Sequence, residues 1–453
     1  MKINGLLASL MLFCSTALAS GFGLDSLRSG DIAAMQTPAP SGPASTASAT
    51  KEWTIIALIN GKNSLSDAAL QDLNEMETVG STPAMDIVAE VGTVTEKEGQ
   101  PAVYSVKRYH VAKDGDTSKV SSVPVTELKK TDMGSWEHFA GFVKWAKAKY
   151  PAKRYLVVVW NHGSGWKSSG KPLEPVPAAA SRGISYDDET SNHITALEMA
   201  RALSAAGGAD LLASDACLMQ ELATNYEIRK YAGVIVGSEE TEPNEGQDYS
   251  RFLTALAARP AASAEEAARM YVAAYNDYYR ATRNDTTISA VRAASFDGLA
   301  AKVTALADAM LADGDMTFAR DSRRKTLKFD DSDARDLGHF ARVVSEDAKS
   351  PAVRAAAREL YSYLKDEVVI VSAFTSRPPA AYPPGYKTAP GEPASARDFS
   401  NATGLAAYIP VVYLPEYNYD ALSFAKASSW TELIKRMKSA QSDADYWDDF
   451  PDD

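Results

Sequence analysis

Cysteine is nearly absent: 453 residues contain two, Cys14 and Cys217. Cys14 lies in a segment with the features of a removable secretory leader. Lys2 gives a positive start, residues 6–14 a short apolar core, and Ala17-Leu18-Ala19 a small-x-small cleavage pattern. Cutting before Ser20 leaves Cys217 as the sole thiol, which excludes an internal disulfide even though a leader implies an oxidising compartment. Long apolar runs are lacking too. The leader core is too short to span a bilayer and no later apolar run is long enough to do so, so no membrane span is predicted and export to the periplasm or outside is expected. Basic charge is in deficit. Lys and Arg number 47 against 59 Asp and Glu, a net charge of −12 that becomes −13 when Lys2 leaves with the leader. That balance argues against nucleic acid or anionic lipid as partner and suits a cationic substrate. Histidine is scarce as well, at five residues without metal-ligand spacing, which argues against zinc.

What is present is ordinary globular material, 45% hydrophobic and 23% charged. Residues 20–51 are rich in Ala, Ser, Pro, Gly and Thr and read as a flexible linker or pro-segment, since they cannot bury enough surface to offset ordering entropy. Residues 52–250 alternate strand and helix patterns. The apolar, β-branched runs 53–59, 85–91 and 155–160 suit strands buried on both faces, and 209–214 and 233–237 continue the series. Between them, helical periodicity covers 66–79, 135–150, 195–206 and a stretch from 218 to about 230. This alternation predicts an α/β fold with a mostly parallel sheet flanked by helices. Residues 251–453 are mainly helical, with strand-like pieces at 287–291, 368–371 and 405–409 that could extend the sheet. Residues 167–191 and 377–398 read as loops, and the acidic end from 443 as frayed.

Polar clusters follow three of the predicted strands: His162, Asp215 with Cys217, and Glu239 to Glu242. The carboxyl ends of parallel strands share one edge, where ligands bind, so imidazole and thiol are expected to meet there. Peptide cleavage by a thiol needs a base or a depressed pKa. His162 has the right intrinsic pKa for that base, and a helix starting at 218 would favour thiolate at Cys217. The backbone N–H groups of Gly163 and Cys217 are candidate donors to the oxyanion. Asp215, two residues before the thiol, would pair with an Arg or Lys side chain of the substrate, or else cap the following helix. Glu239, Glu240 and Glu242 are expected in a solvated turn, with Glu242 a candidate second contact for a basic substrate. Asp187 and Asp188 read as ordinary loop acids.

Four blocks stand in order: Trp160-Asn161-His162-Gly163-Ser164-Gly165-Trp166, Ile184 to Thr190, Ser214-Asp215-Ala216-Cys217-Leu218-Met219, and Val236 to Pro243. They resemble the clostripain family of cysteine peptidases, and Gly404 to Pro410 resembles that family's C-terminal segment. The resemblance implies a caspase-like fold, a dyad of His162 and Cys217, and cleavage after Arg or Lys with Asp215 in the specificity pocket. Proteins or peptides with basic residues would be its partners. Some members cut themselves between histidine and cysteine; the matching sites here are Lys167-Ser168 and Arg182-Gly183. The resemblance leaves calcium dependence open, as it is reported for some relatives; no calcium-loop spacing identifies a site here, and no other cofactor is expected. The rival readings are a transpeptidase or ligase using the same acyl-enzyme, and an inactive binding protein on the same fold.

Overall fold

Side-chain alternation along the central strands sorts their apolar residues onto two faces. In the computed structural model, Ile56, Leu58, Val157, Val159 and Leu212 enter one core, while Ile55, Ala57, Ile59, Leu156, Val158 and Leu211 enter another. All are fully buried, and each Ile, Leu or Val side chain is worth about 1.5–3 kcal/mol on removal from water. The structure describes residues 50–166, 183–282, 284–331, 333–376, 397–411, 413 and 419–439. The leader, nearly all of the linker, the candidate cleavage residues Lys167 and Arg182 and the acidic C-terminal stretch lie outside the described residues.

The strands are β1 (Lys51–Gly61), β2 (Met85–Thr95), β3 (Val103–His110), β4 (Pro124–Leu128), β5 (Ala152–Trp160), β6 (Ile184–Asp187), β7 (Asn192–Ile194), β8 (Ala209–Asp215), β9 (Ala232–Gly237), β10 (Thr286–Arg292), β11 (Ala334–Asp336), β12 (Val369–Thr375) and β13 (Ala406–Tyr408). Nine form one sheet in the order β12-β10-β9-β8-β5-β1-β2-β3-β4. Its centre, from β2 through β1, β5 and β8 to β9, is parallel, and antiparallel pairs close both edges. Chain order reverses between β1 and β5, the switch point at which an open α/β sheet forms its crevice. The α/β expectation holds, and β10 and β12 from beyond residue 251 extend the same sheet, whereas the 405–409 piece, as β13, pairs with β11 in a separate two-stranded sheet.

Helices α1 (Ser66–Glu77), α2 (Trp136–Lys149), α3 (Ala196–Ala205), α4 (Leu222–Ile228), α5 (Tyr249–Ala258) and α6 (Ala264–Thr282) cover the two faces. Apolar residues of α1, α5 and α6 fill one core, and those of α2, α3 and α4 the other. Ser135 caps α2 as its sequence suggests, and Thr195 with Glu198 forms a capping box on α3. Helices α7 (Phe296–Asp313), α8 (Met316–Lys325), α9 (Leu337–Asp347), α10 (Pro351–Tyr363), α11 (Ser423–Ala427) and α12 (Trp430–Ser439) add to the α2–α4 side.

Two expectations fail on this frame. Asp187 is not an ordinary loop acid: it is fully buried and paired with Lys62 at 2.9 Å. Lys62, also fully buried, reaches Glu189 at 2.5 Å and the Thr131 carbonyl at 2.6 Å. Part of the expected 167–191 loop is thus a hairpin, β6–β7, held by side chains rather than by an apolar run. Breaking a buried pair from one side leaves an uncompensated charge. Lys62→Met is therefore expected to cost about 3–5 kcal/mol, read as a lower urea midpoint. An unchanged midpoint would show that Asp187 needs no partner. The second failure is the helix after Cys217, which matters at the site.

Candidate active site

Strand register brings the two reactive side chains together. Trp160 of β5 is the register partner of Asp215 of β8, and the Asn161 amide continues the pairing by donating to the Asp215 carbonyl at 3.2 Å. His162 and Cys217 each stand two residues past that pair, so adjacent strand ends deliver imidazole and thiol to the same cleft. Leu65, Trp160, Asn161, His162, Asp215, Ala216, Cys217, Glu242 and Pro243 all line it. Gly163 allows the approach. A Cβ there would stand 2.8 Å from the Ala216 methyl and collide with the Cys217 carbonyl oxygen.

His162 is exposed at the cleft rim, and its Nε2 lies 3.1 Å from the Ser64 hydroxyl in the loop after β1. Surrounding protein displaces water from the ring and holds its pKa below the ordinary imidazole value, with Asp188 pulling the other way. If His162 is the base, its neutral form persists to lower pH than a free imidazole's. The acid limb of kcat/KM is then expected below the ordinary histidine range. Asp188→Asn removes a carboxylate that favours imidazolium, so it should move that limb further down. A pH–rate profile checks both signs, and an upward shift in the variant would refute the assignment.

Cys217 is half-buried and does not head a helix. The chain loops through residues 218–221, with Leu218 at φ 62°, before α4 starts at Leu222. The cap of α4 is Glu221, which accepts from the Thr224 amide, so Asp215 has no capping role there. Without a dipole at its back, the thiol is pushed up to about 11, by burial first and then by the Glu242 charge. The Glu242 amide donates to Sγ at 3.2 Å, a contact that works in the opposite direction. Both shifts favour the neutral thiol and the neutral imidazole.

Below the thiol, Asp215 is buried and accepts from the Tyr249 hydroxyl at 2.7 Å and the Gln247 amide at 3.3 Å. Its carboxyl is hydrogen-bonded to that of Glu242, and burial raises the pKa of both. Two carboxyls in such contact hold a proton between them. Gly246 takes a left-handed φ of 56° and lies so close that a Cβ would sit 2.9 Å from Asp215 Oδ1. Next to Asp215 lies Asp72 of α1, fully buried, with its pKa raised by burial and then by the Asp215 charge. The expected solvated turn is therefore wrong: Glu239 and Glu240 are buried at 1% and 2% exposure, Glu239 against Asp336 and Glu240 on Arg397 at 2.6 Å.

Several contributors gave no sequence signal. Asp72, Gly246 and Tyr249 lie in segments whose pattern speaks only of helix or loop. The C-terminal region also supports the cleft. Ala406 donates to the Gln220 carbonyl at 3.0 Å, and Trp166 packs edge-on against Tyr408 and Tyr419. No group of three or more His, Cys, Asp or Glu among the described residues could hold a metal ion.

A doubly wound, mostly parallel sheet flanked by helices, with a thiol and an imidazole on neighbouring strand ends, is the architecture expected of a cysteine peptidase. More narrowly, the clostripain family profile, peptidase C11, matches residues 57–442, and the chain belongs to that family. Clostripain of Hathewaya histolytica is 23% identical over 202 residues, 39% of this chain and 36% of the relative, so the match spans about a third of that protein's length. Among solved structures, a secreted C11 cysteine protease from Bacteroides thetaiotaomicron, in complex with an irreversible peptide inhibitor, superposes with a TM-score of 0.61. It is 20% identical, over 84% of this chain and 99% of that one. An inactive zymogen C11 protease from Parabacteroides distasonis gives 0.59 at 20% identity, over 83% and 98%. At these identities the likeness establishes the shared fold.

Proposed function

We propose that the protein is an exported cysteine endopeptidase that cleaves after Arg or Lys. His162 takes the thiol proton, Cys217 attacks the scissile carbonyl, and an acyl-enzyme forms with loss of the amine product. Water then releases the acid product. The backbone N–H groups of Gly163 and Cys217 receive the oxyanion, and a basic side chain descends onto Asp215 and Glu242. The observation that carries this reading is the acid pair, buried Asp215 bonded to Glu242, that lines the same cleft as the thiol. Two adjacent carboxyls demand a cation or a proton, and a guanidinium satisfies them bidentately. Family membership and the likeness to C11 cysteine proteases support the peptidase assignment, and the secreted relative supports export.

A peptide panel with Arg, Lys, Asp or Leu before the cut bond tests it. Arg and Lys peptides should be cleaved and the others spared. Preference for Asp or Leu would overturn the role of the acid pair.

A further inference from the structure

Glu242 touches both the thiol and the floor of the pocket. Its amide donates to Cys217 Sγ at 3.2 Å, its carbonyl oxygen lies 3.9 Å from the same sulfur, and its carboxyl bonds to Asp215. The groups facing Glu242 and the thiol are acidic or phenolic apart from the imidazole: Glu240, itself paired with Arg397 at 2.6 Å, from the same segment after β9, Asp215 from β8, and Tyr271, Tyr275 and Tyr279 from α6. Tyr249 of α5 and Asp72 and Glu75 of α1 face Asp215 in turn. Across the cleft stands His162, with Asp188 behind it. An anionic floor one residue from the sulfur opposes a second negative charge there, and low dielectric magnifies the effect.

We propose that Glu242 is a positioning residue that makes the reactivity of Cys217 depend on occupancy of the pocket: a cation seated on the Asp215–Glu242 pair releases the thiol proton to His162. The S–H bond breaks, the proton bonds to an imidazole nitrogen, and the electron pair stays on sulfur for attack on the carbonyl. The inference rests on the pocket assignment above and extends it. A basic side chain becomes part of nucleophile activation, beyond its part in binding. A lone thiol in an oxidising compartment then stays protonated, and so slow to oxidise or alkylate, until a matching substrate arrives.

The test is alkylation of Cys217 by iodoacetamide in the full-length wild-type protein, followed by mass from mildly acidic to alkaline pH. Agmatine is the probe, and uncharged N-butylurea of similar length is the control. Agmatine should raise the rate several-fold near neutral pH and move the midpoint of the rate–pH curve to lower pH, while butylurea should do neither. In Glu242→Gln the rate without agmatine should already be raised, and agmatine should add nothing. If that variant does not fold, the wild-type midpoint with and without agmatine still decides. Agmatine that competes with arginine peptides yet leaves the rate and midpoint unchanged, or slows alkylation, would overturn the inference and spare the pocket. Agmatine that neither competes nor alters alkylation, with arginine peptides uncut, would remove both.

Discussion

Cys217→Ala is expected to abolish cleavage of arginine peptides, with kcat falling on the order of 10⁴- to 10⁶-fold, as when other acyl-transfer enzymes lose their nucleophile. The argument is geometric. Strand ends β5 and β8 deliver one imidazole and one thiol to the cleft, and no other cysteine lies among the described residues. Removing the sulfur removes the atom that bonds to the substrate, and His162 alone has nothing to activate except water. The fold should survive, because the lost side chain is half-buried and its hydrogen bonding is limited to weak contacts with Glu242. The variant should therefore match wild type in thermal unfolding while differing in rate. The same pair of proteins tests self-processing at Lys167 or Arg182: wild type should yield two fragments and the variant a single chain. Wild-type rates in the variant, with its fold intact, would remove Cys217 from the mechanism.

The legible part of the fold is the part written in apolar periodicity. Runs such as 53–59 and 155–160 suit strands buried between two helical layers, which predicts a parallel centre of the sheet though not its strand order. His162 and Cys217 were legible as a candidate pair because each follows such a run within a few residues. The support of the site was not. Asp187 reads like any loop acid until Lys62, 125 residues earlier, is seen buried against it. Glu239 and Glu240 read as a solvated turn because nothing local announces that Arg397 and the 330s segment will cover them. The false helix over 218–221 has a simple cause. Its apolar residues, Leu218 and Met219, fit a helical face, but Leu218 takes a left-handed φ and Gln220 is bound to β10 through Ser289. Tertiary contacts overrode local propensity in each case.

Asp215→Asn is expected to reduce kcat/KM for arginine peptides by about 30- to 4,000-fold, the equivalent of about 2–5 kcal/mol for losing one charged partner of a buried, hydrogen-bonded pair. The substitution keeps the shape of the pocket floor. An amide oxygen can still accept from the Tyr249 hydroxyl and the Gln247 amide, and the amide nitrogen can donate to Glu242. What disappears is half of the negative charge offered to a guanidinium, so the residual preference for Arg should rest on Glu242. Stability should move the other way. Burial raises the Asp215 pKa in the folded state, so the folded form holds a proton that the unfolded form releases earlier. Its contribution is therefore present at acid pH and is lost as pH rises from the ordinary carboxyl range through the raised folded value. The asparagine variant lacks that loss and should unfold at an equal or higher temperature near neutral pH, with a flatter dependence on pH. Lower activity toward Arg together with undiminished stability separates a pocket role from a structural one. Equal loss of rate and of melting temperature would assign Asp215 to the core.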